Sequence, residues 1–244
     1  RNVIIHEIAH QWFGNSVTEF SWDDIWLSEG FATYFTLLFI EHEYGRDEFI
    51  KGLKSSKKTV DNFHKKYPDY TVIHNNLKDM KDVTSVQTYQ KGSWTLHMLR
   101  GLLGTKIFWK GIRAYYLKYK DLNASTKDFK TIMEEVSGKD LTKFFDQWLY
   151  KPGNLVLDGV WKYDKNLQEI TLELKQVQKG NVIIEMPIEI GIDYGENEYK
   201  IEKINLKELS KLYKIKTDKE PSDIIVDPNM WVLKNYTLKK IKSS

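Results

Sequence analysis

The chain contains no cysteine. Disulfide staples and thiolate chemistry are therefore excluded, while the compartment stays open. Long apolar runs are also missing. The longest candidate, residues 31–40, is half of the roughly 20 residues that cross a bilayer, and reads as a buried helix. No signal-peptide pattern stands in the sequence. A strong charge of either sign is lacking as well: 37 basic residues against 34 acidic ones leave +3. The lysines are spread rather than blocked, so neither nucleic acid nor a membrane is an expected partner. There is no internal repeat and no low-complexity tract.

What the sequence does hold is apolar and aromatic. Hydrophobic residues make up 41% and aromatics 14% of 244 residues, enough for one large domain or two small ones. The first stretch carries His6-Glu7-Ile8-Ala9-His10, and nineteen positions after His10 comes Glu29. Histidines at i and i+4 of a helix project from one face and can reach a single ion. Neutral imidazole suits Zn²⁺, and the Glu29 carboxylate can supply a third ligand. That leaves a position for water, as catalytic rather than structural sites do. Glu7, between the histidines, is placed to take a proton from that water. The flanks Val3, Ile4, Ile5, Ile8, Ala9, Trp12 and Phe13 predict a buried helix, in which histidines need partners. A carboxylate at the head of the apolar run 31–40 needs one too.

His6-Glu7-Ile8-Ala9-His10-Gln11-Trp12-Phe13-Gly14-Asn15, followed by Trp26-Leu27-Ser28-Glu29-Gly30-Phe31-Ala32, resembles the M1 zinc aminopeptidases, which are gluzincins. Eighteen residues separate His10 from Glu29. The resemblance implies one zinc per chain on His6, His10 and Glu29, with Glu7 as general base and peptides as substrates. It also singles out Tyr89. Tyr89-Gln90-Lys91-Gly92 is similar to the family's Tyr-x-Lys-Gly segment, whose tyrosine stabilises the transition state; spacing alone would leave Tyr89 a packing residue. Two departures stand out. Ser28 replaces a frequent Asn beside the ligand. The family's Gly-x-Met-Glu-Asn segment, which helps hold the substrate's α-amino group, is absent. The sequence also opens without Met, on the first turns of the metal helix. It is read as a fragment of a longer polypeptide: the α-helical half of a thermolysin-like catalytic domain (1–151), followed by an antiparallel β-sandwich (152–244). The fold class expected is α+β, multidomain.

Along the chain, helices are expected at 1–14, up to residue 45, at 47–67, 84–103 and 107–120, from Ser125 to Gly138, and at 141–150. Gly14-Asn15 ends the first, and Asp23 or Asp24 caps the second. Ser125-Thr126-Lys127-Asp128 is a capping pattern. Pro68 opens a stretch to residue 82 without clear period. His42, His64 and His74 read as solvated, His97 as a packing residue. Beyond Lys151-Pro152-Gly153-Asn154, alternation with period two predicts strands at 160–163, 170–174, 183–192 and 199–206, closed by 224–226 and 231–233. Asp164-Lys165-Asn166 and Tyr194-Gly195-Glu196-Asn197 read as hairpin turns. Glu185, Glu189 and Asp193 read as the wet face of a strand.

Three alternatives accompany the peptidase reading. The chain could hold metal without turnover, could act on a non-peptide substrate, or could be a non-enzymatic interaction module on a peptidase fold. Residue preference, oligomeric state and localisation (cytoplasmic, or periplasmic or secreted) are not encoded visibly.

Overall fold

The computed structural model describes residues 1–73, 83–195 and 198–242, with Asn181 as backbone only. The chain forms two compact units, Arg1–Gly153 and Asn154–Ser244. His74 and the tip of the expected turn at Glu196-Asn197 lie outside the described residues.

The first unit begins with α1 (Asn2–Ala9), shorter than expected: after His10 the chain turns through Gly14 into β1 (Val17–Glu19). A 3-10 turn, Trp22–Asp24, leads into α2 (Trp26–Tyr44). This helix is apolar almost all round, and such a helix must sit inside the unit. It packs against α1, against α3 (Arg46–Lys66) and against α4 (Gly92–Leu103). On α3, Phe49, Leu53 and Val60 share one face and are buried, Ile50 and Phe63 are half-buried, and most of the remaining residues are polar. A π-helical turn, Gln87–Lys91, precedes α4. Then come α5 (Thr105–Tyr119), β2 (Leu122–Ala124), α6 (Thr126–Ser137), α7 (Thr142–Phe145) and a second π-helical turn, Asp146–Tyr150. β1 and β2 pair in parallel, a small sheet with too few residues to leave a periodic signal.

An aromatic cluster joins these helices. The ring of Phe31 on α2 lies 4.4 Å from Phe13 and 5.3 Å from Phe129 on α6, and Phe129 lies 4.9 Å from Tyr115 on α5. Each such fully buried side chain contributes about 1.5–3 kcal/mol of hydrophobic stabilisation.

The expected cap of α2 is corrected. α2 has no side-chain cap, because the Asp24 carboxylate faces another helix. Asp24 Oδ1 accepts from Thr126 N at 2.7 Å and from Thr126 Oγ1 at 2.8 Å, so it serves the N-terminus of α6, 102 residues away. Trp26 Nε1 donates to the same threonine hydroxyl at 2.8 Å. Ser125 and Asp128 form a reciprocal capping box on α6, and Gly138 ends that helix in the left-handed conformation.

The second unit holds two sheets. The first runs in the order β7 (Ser210–Lys216), β4 (Glu169–Gln176), β3 (Leu155–Asp164), β9 (Lys234–Lys240). The second runs β6 (Glu198–Leu206), β5 (Met186–Gly195), β8 (Asp223–Val226). Alternate residues turn inward, as in Leu155, Leu157, Trp161 and Tyr163 on β3 and Ile170, Leu172 and Leu174 on β4. The architecture is thus α+β, helices followed by a sandwich. Three expectations change. The pairing is not wholly antiparallel, since β3 and β9 run parallel. The last strand is Lys234–Lys240, because residues 231–232 are taken by a turn in which Asp227 accepts from the N–H groups of Trp231 and Val232. That turn carries the chain from one sheet to the other instead of back along β8. Glu189 is buried rather than wet, and accepts from Asn229 Nδ2 at 2.8 Å. No helix among the described residues is long and apolar enough to cross a membrane.

Candidate metal centre

α1 carries His6 and His10 one turn apart, and α2 presents Glu29 in its first turn. His6 Nε2 lies 3.1 Å from Glu29 Oε2 and 3.1 Å from His10 Nε2. His10 Nε2 lies 3.3 Å from the same carboxylate oxygen. Atoms bound at about 2.0–2.1 Å to a tetrahedral zinc stand about 3.3 Å apart, so the triangle has the size an ion requires. Among the described residues this is the only group of His, Asp and Glu whose ligand atoms close to within 4.8 Å of one another.

The free nitrogen of a ligating histidine is set by what the other nitrogen does. His10 Nδ1 lies 3.0 Å from the Phe13 carbonyl, which can only accept. Nδ1 therefore carries a proton, so Nε2 turns to the triangle either as a lone pair toward an ion or, in the metal-free imidazolium, as a second donor. The Ser28 hydroxyl stands 3.2 Å from the same Nδ1. Gly14, at φ +126°, leaves room for both: a Cβ there would come within 2.6 Å of Ser28 Oγ and 2.9 Å of His10 Nδ1.

The electrostatics favour a cation. Burial alone would push the Glu29 carboxyl up, but hydrogen bonds from His10 and His6 outweigh it and bring the group down to about 2. The hydrogen bond to Glu29 pushes His10 up, against the effect of burial. Tyr89, on the π-helical turn, stacks on His6 with ring centroids 5.9 Å apart. Burial together with the charge of nearby Glu29 pushes its hydroxyl up to about 12. It therefore stays a protonated donor at neutral pH. Glu7 is exposed on α1, and its charge raises both His10 and Tyr89. All five residues singled out in the sequence line one cleft of about 670 Å³, continued by Thr33, Thr36 and Leu37 of α2 and Ser55 and Thr59 of α3.

The expected burial of the metal helix is corrected. Of its flanks only Ala9 and Phe13 are buried, whereas Val3 is 72%, Ile4 64% and Ile8 52% exposed. The helix leans on α2 along one narrow strip, and its opposite apolar face meets nothing among the described residues. His42 is exposed, as expected. His64 is half-buried rather than solvated, within 3.8 Å of where a Cβ on Gly153 would stand. His97 is fully buried, 3.0 Å from the Tyr34 hydroxyl. Sequence reasoning passed over the Phe13 carbonyl, which no side-chain pattern announces. It also gave no role to Ser28 beyond its neighbourhood to a ligand, and none to Lys91.

Residues 1–148 match the family described as "Peptidase family M1 domain". Aminopeptidase N of Lactococcus lactis subsp. lactis is 34% identical over 162 residues, 64% of this chain and 19% of that protein. A protein of Sulfurisphaera tokodaii described as probable aminopeptidase 2 is 31% identical over 206 residues, 83% of this chain and 26% of its own length. Among solved structures, aminopeptidase A of Legionella pneumophila matches with a TM-score of 0.83 at 18% identity, over 100% of this chain and 27% of that one. The chain thus spans about a fifth to a quarter of the length of these relatives.

Proposed function

Because the chain belongs to peptidase family M1, we propose that it carries the zinc centre of an aminopeptidase, a metallopeptidase that removes N-terminal residues from peptides. Two imidazole nitrogens and one carboxylate, from His6, His10 and Glu29, would hold a single Zn²⁺ and leave a coordination position over. When bound, the ion supplies Lewis acidity toward water and toward the scissile carbonyl. Glu7 takes the proton of the attacking water and returns it to the leaving amine. Tyr89 donates its phenol to the oxyanion developing on the carbonyl, a charge that a preorganised donor stabilises without reorganising. The cleft beyond Glu29 receives the peptide on either side of the bond.

The observation that carries this reading is the convergence of three ligand atoms, an exposed carboxylate and a protonated phenol on one cleft. A second reading is supported by the uncovered face of α1. With Val3, Ile4 and Ile8 exposed, the metal helix lacks packing on one side, and the centre could bind zinc yet be held too loosely for efficient turnover.

One experiment separates the two. Zinc content and hydrolysis of aminoacyl arylamides are measured on this chain and on His10→Ala. The first reading expects one zinc per chain with hydrolysis, both lost in the variant. Zinc without hydrolysis selects the second. A folded chain that takes up no zinc removes both and leaves an interaction module.

A further inference from the structure

Lys91 is 1% exposed, one of the largest fully buried side chains of the molecule. Buried ammonium groups are ordinarily paired with a carboxylate. Among the described residues this one meets two backbone carbonyls instead, donating to Gly153 O at 2.9 Å and to Lys151 O at 3.4 Å. Its backbone carbonyl accepts from Thr95 Oγ1 at 2.9 Å, one turn into α4. Both ends of the tether are unusual backbone. Lys91 closes the π-helical turn Gln87–Lys91, and residues 151–153 follow directly on the π-helical turn Asp146–Tyr150.

A π-helical turn holds one residue more than an α-turn and persists only where tertiary contacts support it. Here the start of the turn is held by Ser85, whose carbonyl accepts from Tyr89 N at 3.2 Å and from Thr88 Oγ1 at 2.8 Å. The end is held by Lys91. Between these two anchors stands Tyr89. Relaxation of the bulge by one residue would rotate the tyrosine by about 100° around the helix axis. Its ring would then leave His6, and its hydroxyl the neighbourhood of the Glu29 charge.

We propose that Lys91 is the positioning residue for Tyr89: its Nζ, donating to the carbonyls of residues 151 and 153, keeps the π-helical turn from relaxing and so keeps the phenol over the metal centre. The inference rests on the peptidase reading for what the phenol does, but not for where it stands. Lys91 touches neither the cleft nor the ligands and supplies no proton to the reaction.

The test reads the position of the ring directly. 3-Fluorotyrosine is placed at position 89 in one sample and at buried Tyr115 in another, and ¹⁹F spectra are recorded on the full chain with lysine or methionine at 91. Methionine matches the lysine stem in size, without the Nζ donor. Lys91→Met is expected to shift the resonance at 89 toward that of a mobile tyrosine and to leave the resonance at 115 in place. An unmoved resonance at 89 overturns the proposal. So does a joint movement of 89 and 115, which would make Lys91 a general core residue. Should Lys91→Met fail to fold, Lys91→Gln retains a donor for one carbonyl and is expected to show a smaller shift at 89 alone; the same two outcomes overturn the proposal in that variant. In the active peptidase, Lys91→Met is expected to lose roughly tenfold in kcat with KM within about twofold. That loss should vanish in a Tyr89→Phe background, and an equal loss there overturns the proposal. A chain that takes up no zinc would refute the peptidase reading while leaving the ¹⁹F result to decide the position of Tyr89.

Discussion

Gly30→Ala tests the packing that brings the two halves of the site together. Gly30 follows Glu29 on α2, and Gly92 follows Lys91 at the start of α4. A Cβ on Gly30 would stand 3.0 Å from the Gly92 carbonyl carbon, 3.1 Å from its Cα and 3.3 Å from Ser93 N. All three are backbone atoms, so no side chain can swing aside, and the helices themselves must part by a few tenths of an ångström. Overpacking of this kind costs about 1–3 kcal/mol. Alanine is favoured over glycine inside a helix by about 1 kcal/mol, which offsets part of that cost. The net expectation is a loss of up to about 2 kcal/mol, or up to about 4–8 °C in Tm for a chain of this size. Gly52→Ala on α3 is the internal control. Its added Cβ meets only Leu37 Cδ2, at 2.6 Å, the far end of a flexible side chain. The same gain in helix propensity applies, and the variant should be neutral or slightly stabilised. Both are compared with the parent by thermal unfolding of the metal-free chain. If Gly30→Ala melts at or above Gly52→Ala, the close approach of α2 and α4 is not the constraint claimed here.

Glu7→Gln should retain zinc and lose turnover by roughly 10²–10⁴-fold, because it keeps the shape of the side chain and removes the base; near-normal arylamide hydrolysis would take Glu7 out of the mechanism. Tyr89→Phe should lower kcat more than it raises KM, and an effect confined to KM would make the phenol a binding group. Lys91 gives a pH dependence of unusual sign. Burial pushes its ammonium from the ordinary 10.5 down to about 7, so between these values the unfolded chain binds the extra proton and the folded chain does not. Stability of the parent relative to Lys91→Met should therefore rise with pH from about 7 to about 10.5, by up to about 1.4 kcal/mol per pH unit. Urea titrations in which that difference is flat or falls would mean the ammonium stays charged in its pocket.

The candidate metal ligands were legible because their geometry is local. Four residues of helix put His6 above His10, and a carboxylate opening an apolar helix stood out as costly unless used. Tyr89 was legible only through resemblance, since nothing in the spacing of 14 tyrosines separates it from the rest. The strands of the second unit followed from alternation where one face is buried. β7 escaped because Leu212 is 51% exposed on an edge strand, so its apolar period is broken by lysines. Strand direction left no trace: an edge strand with one buried face alternates identically whether its neighbour runs parallel or antiparallel, and only the turn at Asp227 decides that β9 lies parallel to β3. The exposure of α1 misled for a related reason. Val3, Ile4 and Ile8 carry an apolar signal for a partner surface that the described residues do not provide.

The motif names the candidate ligands but does not by itself bring them together. Two helices of one chain can meet in many ways, and the 3.1–3.3 Å triangle demands one of them. Three contacts beyond the three ligand side chains select it. Asp24 and Trp26 fasten the start of α2 to Thr126 and so fix where Glu29 begins its turn. Gly14 lets the chain after α1 fold back tightly enough for Ser28 to reach His10. Gly30 lets α4, and with it Tyr89, approach α2 to backbone contact. In sequence each of these is a single aspartate or glycine, indistinguishable from a cap or a turn. Asp24 was accordingly read as the cap of the helix beside it. Its actual partner is 102 residues away, a distance over which capping rules say nothing. The chemistry of such a site is thus written in consecutive residues, while its precision is written in isolated ones whose partners only the fold reveals.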